Sequence, residues 1–135
     1  MTTAVDSGVL IDVFQAEPAW AARSADALDA ASRAGRVTVC DVVWAEVAGR
    51  FVSPAAAAAA LSTLDIEFDP MTALAAADAG RLWRAFRDAG GGRRERVVAD
   101  FMVGAHALRQ ADALLTRDRG FYRRYFKRLR IIEPG

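Results

Sequence analysis

The chain has 135 residues, 53% hydrophobic and 26% charged, enough for one domain with a sizeable core and too apolar for disorder. Its single cysteine, Cys40, excludes an internal disulfide and leaves too few soft ligands for a zinc site, so a reducing cytoplasm is expected. No apolar run reaches bilayer-spanning length, and the first basic residue is Arg23, so neither a membrane span nor a secretory signal with a charged start is expected.

Thr2 to Asp6 (TTAVD) reads as a strand, followed by a turn and short helix over SGVLIDVF. Pro18 opens a helix that runs to about Ala34, where Gly35 stops it. RVTVC is a second strand and VVWAEVAGRF a helix, for which Asp41 is the expected N-cap. Ser53-Pro54 starts a short helix through the alanine tract 55–60, because alanine is the best helix former. DIEF is a third strand bounded by Pro70. MTALAAADAGRLWRAF places Ala75, Ala79, Leu82 and Phe86 on one helical face and ends at the Gly90-Gly91-Gly92 run. RERVVADFMVGAHALRQ is a further helix, ADALLT leads into a fourth strand, GFYRRYF is a short helix and LRIIE a final strand. Strands separated by helices of this length predict an α/β domain: one three-layer α/β/α unit over residues 1–135, with a mainly parallel sheet of four to five strands.

Charge is uneven along the chain. Residues 1–92 carry 7 basic and 12 acidic side chains, while residues 93–135 carry 11 basic and 5 acidic. An acidic part joined to a basic one suits a polyanion held near a basic surface while acids act on it. Arg117, Arg119, Arg123 and Arg124 are the candidate nucleic-acid contacts, interleaved with Phe121, Tyr122, Tyr125 and Phe126, which suit base stacking or, equally, the core.

Four carboxylates sit beside segments that ought to be buried: Asp6, Glu46, Asp100 and Asp118. Asp6 ends the first strand and Asp118 closely follows the fourth, so both belong at the carboxyl edge of the sheet, where open parallel sheets bind ligands. Glu46 and Asp100 lie on helices that can point back to that edge. Asp100 stands among Val97, Val98, Phe101 and Met102, where a desolvated carboxylate requires a partner, and Arg96 is the local one. Carboxylates sharing a recess repel one another, and the usual remedy is a divalent cation. With only hard oxygen donors, that ion is magnesium or manganese, with Asp6, Asp100 and Asp118 as its ligands. Thr116 is the candidate hydroxyl for orienting a bound water. Each acid also has a plainer role open to it: Asp6 or Asp118 as a helix cap, Glu46 as a surface partner of Arg50. Asp12 reads as a solvated helix position and His106, the one histidine, as packed rather than catalytic.

These segments resemble the PIN domain: VDSGVLIDVF with Asp6, VVWAEV with Glu46, RVVADFMVGAHAL with Asp100, LLTRDRGFYRRYF with Asp118 and the closing LRIIEP. They are most similar to VapC-type ribonuclease toxins of type II toxin–antitoxin systems. The resemblance implies a magnesium- or manganese-dependent endoribonuclease cutting structured RNA, with Asp6, Glu46, Asp100 and Asp118 as its acidic set. It also implies inhibition by a small VapB-type antitoxin and a homodimer. Gly120 and Phe121 stand where some members carry a further acid, so one ion rather than two is expected. For the antitoxin, Trp20, Trp44 and Trp83 are the candidate anchors. The alternative of a different class is a non-catalytic RNA- or partner-binding module with a degenerate acidic pocket.

Overall fold

The computed structural model describes residues 1–92 and 96–135. Twelve elements follow in order: β1 (Thr2–Val5), α1 (Ser7–Phe14), α2 (Ala21–Ala34), β2 (Arg36–Val39), α3 (Asp41–Ala48), α4 (Pro54–Thr63), β3 (Ile66–Phe68), α5 (Ala73–Asp88), α6 (Val98–Gln110), β4 (Ala113–Leu115), α7 (Arg119–Tyr125) and β5 (Ile131–Ile132). The start expected for α6 at residues 94–95 lies outside the described residues; Arg96 and Val97 precede the helix, which opens at Val98.

The strands form one parallel sheet ordered β3-β2-β1-β4-β5, with Val5 opposite Leu115 across the central β1–β4 pair. Successive strand residues point to opposite faces, yet Thr3, Ala4 and Val5 of β1, Val37, Thr38 and Val39 of β2, and all of β4 are buried. Both faces are therefore covered, which is why these strands read as continuous apolar runs. The chain leaves β1 toward β2 on one side and returns to its other side as β4, so the strand order reverses at the β1–β4 boundary. In such sheets a crevice opens at that point, beyond the strand carboxyl ends.

Local chemistry accounts for the boundaries. Asp6 caps α1 by accepting from the Ser7 N–H, Ser53 caps α4 through Ala56 with Pro54 in the first turn, and Thr72 caps α5 through Ala75. Gly35 ends α2 at φ 153°, where a Cβ would stand 1.9 Å from the Met1 carbonyl oxygen, so only glycine fits between the starts of β1 and β2. On α6, a Cβ at Gly104 would meet the Phe126 ring at 2.4 Å; its absence lets α7 seat closely against that helix.

Two expectations are corrected. Asp41 is the first residue of α3 rather than its cap, and its carboxylate accepts instead from the Met71 N–H. Asp12 is 3% exposed rather than solvated. It accepts from the Ser24 hydroxyl at 3.0 Å and takes a two-pronged grip from Arg117, 2.9 Å at Nε and 3.0 Å at the terminal nitrogen. Arg117 also lies 4.7 Å over the Trp20 ring. This pair, buried on its Asp12 side, ties the β4–α7 loop to α1, the two segments that carry Asp118 and Asp6.

Candidate active site

Asp6 leaves β1 directly into α1, and its backbone N–H is held by the Leu115 carbonyl at the end of β4. One carboxylate oxygen accepts from the Ser7 N–H at 2.9 Å and the other from the Thr116 hydroxyl at 2.8 Å. The same Thr116 oxygen accepts from the Asp118 N–H at 3.0 Å, so one buried hydroxyl fixes the relation between two of the acids. Asp118 stands at the N-cap position of α7 without capping it, which frees its carboxylate for the cleft. That cleft, about 330 Å³, is lined by Asp6, Gly8, Arg117 and Asp118. A larger groove of about 510 Å³ beside Trp44 and Phe68 also holds two acids, Asp65 and Glu67, but Glu67 is paired with Arg36 at 2.9 Å and neither follows the carboxyl end of a strand.

The remaining acids face the same place. Asp100 occupies the first turn of α6, where one oxygen accepts from the Val97 N–H at 2.9 Å and the other lies 3.9 Å from Arg96. Its side chain is 32% exposed, and Val97 and Val98, themselves exposed at the helix start, do not seal it from water. Glu46, on α3, stands at the exposed rim with the Ser7 hydroxyl beside it rather than paired to Arg50, which reaches Gln15 instead.

The acids act on one another electrostatically. Desolvation pushes the Asp6 carboxyl above its ordinary value of 3.8; the bonds from Thr116 and Ser7 oppose this, and the charges of Asp118 and Asp100 add to it. Glu46 is raised as well, by desolvation first and then by Asp6, with Asp100 contributing. Tyr122, buried on α7, is pushed far up by burial and by Asp6, Asp100 and Asp118 together. Its hydroxyl therefore stays protonated beneath the cluster.

A cation of the chain's own is already among these acids. Arg96 donates to Asp118 at 2.6 Å, approaches Asp100 at 3.9 Å and lies 4.2 Å over the Phe121 ring. Burial works against its charge, but the bond to and charge of Asp118 outweigh it and the guanidinium is held more firmly protonated. The sequence shows only the local Arg96–Asp100 spacing, and it leaves Tyr122 open between base stacking and the core without linking it to the acids. The four-residue spacing from Asp118 to Tyr122, one helical turn, is the signal that was present.

The donor set suits a hard divalent ion: oxygen only, mutually repelling, with raised carboxyl pKa values that a cation relieves. Among the described residues, no three Asp, Glu, His or Cys side chains form a group that could hold one ion.

The basic segment divides in two. Arg117 is committed to Asp12, and Arg119 reaches Glu133 at 3.1 Å with Arg123 at 4.0 Å from the same carboxylate, while Arg124 lies over Tyr125 at 5.3 Å. Phe121, Tyr122 and Phe126 are buried core residues, which leaves Tyr125 as the partly exposed ring. His106 is buried against Asp69 at 3.0 Å, away from the cleft. Trp20, Trp44 and Trp83 are each half-buried. No helix among the described residues is long and apolar enough to cross a membrane.

A family model described as PIN domain matches residues 3–127. Among curated proteins, none matches the sequence. Solved structures do match in fold. VapBC2 from Rickettsia felis, bound to a DNA fragment from its promoter, aligns at TM-score 0.76 and 15% identity over 100% of both chains. VapBC-1 from nontypeable Haemophilus influenzae aligns at 0.71 and 14% over 98% of each. A toxin–antitoxin complex from Klebsiella pneumoniae aligns at 0.66 and 19%, again over 98% of each.

Proposed function

The chain belongs to the PIN domain family, and from that premise we propose that it is a metal-dependent endoribonuclease acting as the toxin of a toxin–antitoxin pair, with structured RNA as its substrate. The observation that carries this reading is that Asp6 and Asp118 line one cleft at the switch-point edge and are tied through the Thr116 hydroxyl, with Asp100 near enough to raise both Asp6 and Glu46. Asp6, Asp100 and Asp118 would hold one magnesium or manganese ion, with Glu46 at the rim. When bound, such an ion polarises a phosphoryl oxygen and lowers the pKa of attacking water.

The chain's own groups supply the rest. Thr116 fixes Asp6 and the Asp118 backbone through one hydroxyl, so the two carboxylates enter the cleft at a set separation. Glu46, more basic than an ordinary glutamate and open at the rim, is placed to accept a proton from water entering there. Arg124, with Lys127 and Arg128 on the same exposed stretch, supplies cations for the RNA backbone near Asp118.

The VapBC likenesses support a small antitoxin as partner, and the half-buried tryptophans remain its candidate anchors. A homodimer and a cytoplasmic setting belong to the same reading. The test incubates purified protein with transfer RNA, with magnesium or manganese and then with chelator. Asp6→Asn and Asp100→Asn are expected to lower cleavage at least about a hundredfold and to relieve growth inhibition while melting cooperatively. Full cleavage by either folded variant, or binding of RNA without metal-dependent products, would replace this reading with that of a non-catalytic binding module.

A further inference from the structure

Arg96 brings a positive charge to the acids assigned to the metal ion. Its guanidinium bonds the Asp118 carboxylate at 2.6 Å and stands 3.9 Å from Asp100, two of the three acids assigned to the ion. It is not a surface pair drifting across the cleft mouth: the side chain is 29% exposed and its plane is backed by the Phe121 ring at 4.2 Å, on the helix that Asp118 opens. A guanidinium and a hard cation drawn to the same carboxylate repel each other, so each weakens the other's hold on Asp118. Removing the arginine contact without replacing it would leave acids that already repel one another uncompensated.

We propose that Arg96 is a built-in counter-ion that competes with the divalent metal: it holds Asp118 and Asp100 while the site lacks an ion, and metal binding exchanges it off Asp118. This rests on the metal-nuclease reading above. Two features make the exchange feasible. The Phe121 face retains the guanidinium through a cation–π contact after Asp118 is released, so the arm keeps a favourable seat. Asp100 is gripped on its other oxygen by the Val97 N–H at the start of α6, so the acid stays in place when the arginine leaves. The consequence is a site that tolerates the absence of metal and binds it more weakly than four acids alone would. Activity then rises only where the ion is plentiful enough to displace the internal cation.

The experiment is calorimetric titration of MnCl2 into metal-stripped wild-type protein, Arg96→Gln and Arg96→Lys. Arg96→Gln is expected to bind Mn2+ about three- to tenfold more tightly, as breaking one partly exposed ion pair ceases to oppose binding. Arg96→Lys, a point charge without the planar fork, falls between. In chelator Arg96→Gln melts below wild type, and Mn2+ raises its melting temperature by more than it raises that of wild type. Equal or weaker Mn2+ affinity in folded Arg96→Gln overturns the proposal, and should that variant not fold, the same result in Arg96→Lys does so. Asp6→Asn binding Mn2+ like wild type would also overturn it, since the ion would then lie elsewhere. A tightened Mn2+ affinity together with no RNA cleavage by the wild type would instead uphold the exchange and refute the nuclease reading.

Discussion

Replacing Arg117 by alanine separates a structural arginine from a substrate-binding one. In the folded chain Asp12 is 3% exposed, and its carboxylate depends on three donors, two of them from Arg117. The substitution leaves a buried carboxylate with only the Ser24 hydroxyl. Removing one partner of a buried pair costs about 3–5 kcal/mol; because the Arg117 side chain is itself 36% exposed and water can replace part of its contact, about 2–3 kcal/mol is the better figure here. For a domain of this size that lowers the melting temperature by roughly 6–12 °C. A thermal melt and a urea titration of the wild type, Asp12→Ala, Arg117→Ala and the double variant form a thermodynamic cycle. Its coupling is expected to exceed about 1 kcal/mol. Cleavage by Arg117→Ala is expected to fall through a lower kcat, because the pair anchors the loop that carries Asp118. A melting temperature within about 2 °C of wild type, additive single variants, or a pure rise in KM would refute the reasoning and restore Arg117 to the RNA surface.

Removal of the Thr116 hydroxyl is the second test. Thr116→Val takes a donor from Asp6 and leaves the Asp118 N–H without its acceptor, so a stability loss of about 1–3 kcal/mol and a fall in kcat are expected, both restored by Thr116→Ser; a valine variant with full kcat would count against the positioning role. The third concerns pH. The folded-state pKa of Asp6 lies above its ordinary 3.8, so between those two values the native protein binds more protons than the unfolded chain, and the contribution of Asp6 to stability declines as pH rises through the folded value. In chelator, Asp6→Asn should therefore gain on wild type in melting temperature as pH is raised from about 4 to 7. A difference flat across that range, or one of opposite slope, would show that Asp6 is not the strained acid.

The order of elements was readable because the chain marks its own boundaries. Asp6 and Ser53-Pro54 act within a few residues of themselves, and a local signal is enough to locate them. The acids at the sheet edge were readable for a related reason: a parallel sheet sends the ends of β1 and β4 to the same side, so two positions in the sequence imply one place in space. What stayed hidden is which cation serves which acid. Arg117 and Asp12 are 105 residues apart, and neither segment alone distinguishes a buried pair from two solvated charges. Arg96 illustrates the limit most sharply. Its spacing to Asp100 predicts an ordinary helical ion pair, yet residue 96 precedes α6 and its close contact is Asp118, 22 residues on. The aspartate inside the apolar VVADF stretch thus has a double explanation. At the first turn of α6 a carboxylate stabilises the Val97 N–H and the helix dipole, and from there its charge also raises Asp6 and Glu46. Local stability and the proposed site chemistry favour the same residue there. The contact between Arg96 and Asp118 sets this helix start apart from a plain one.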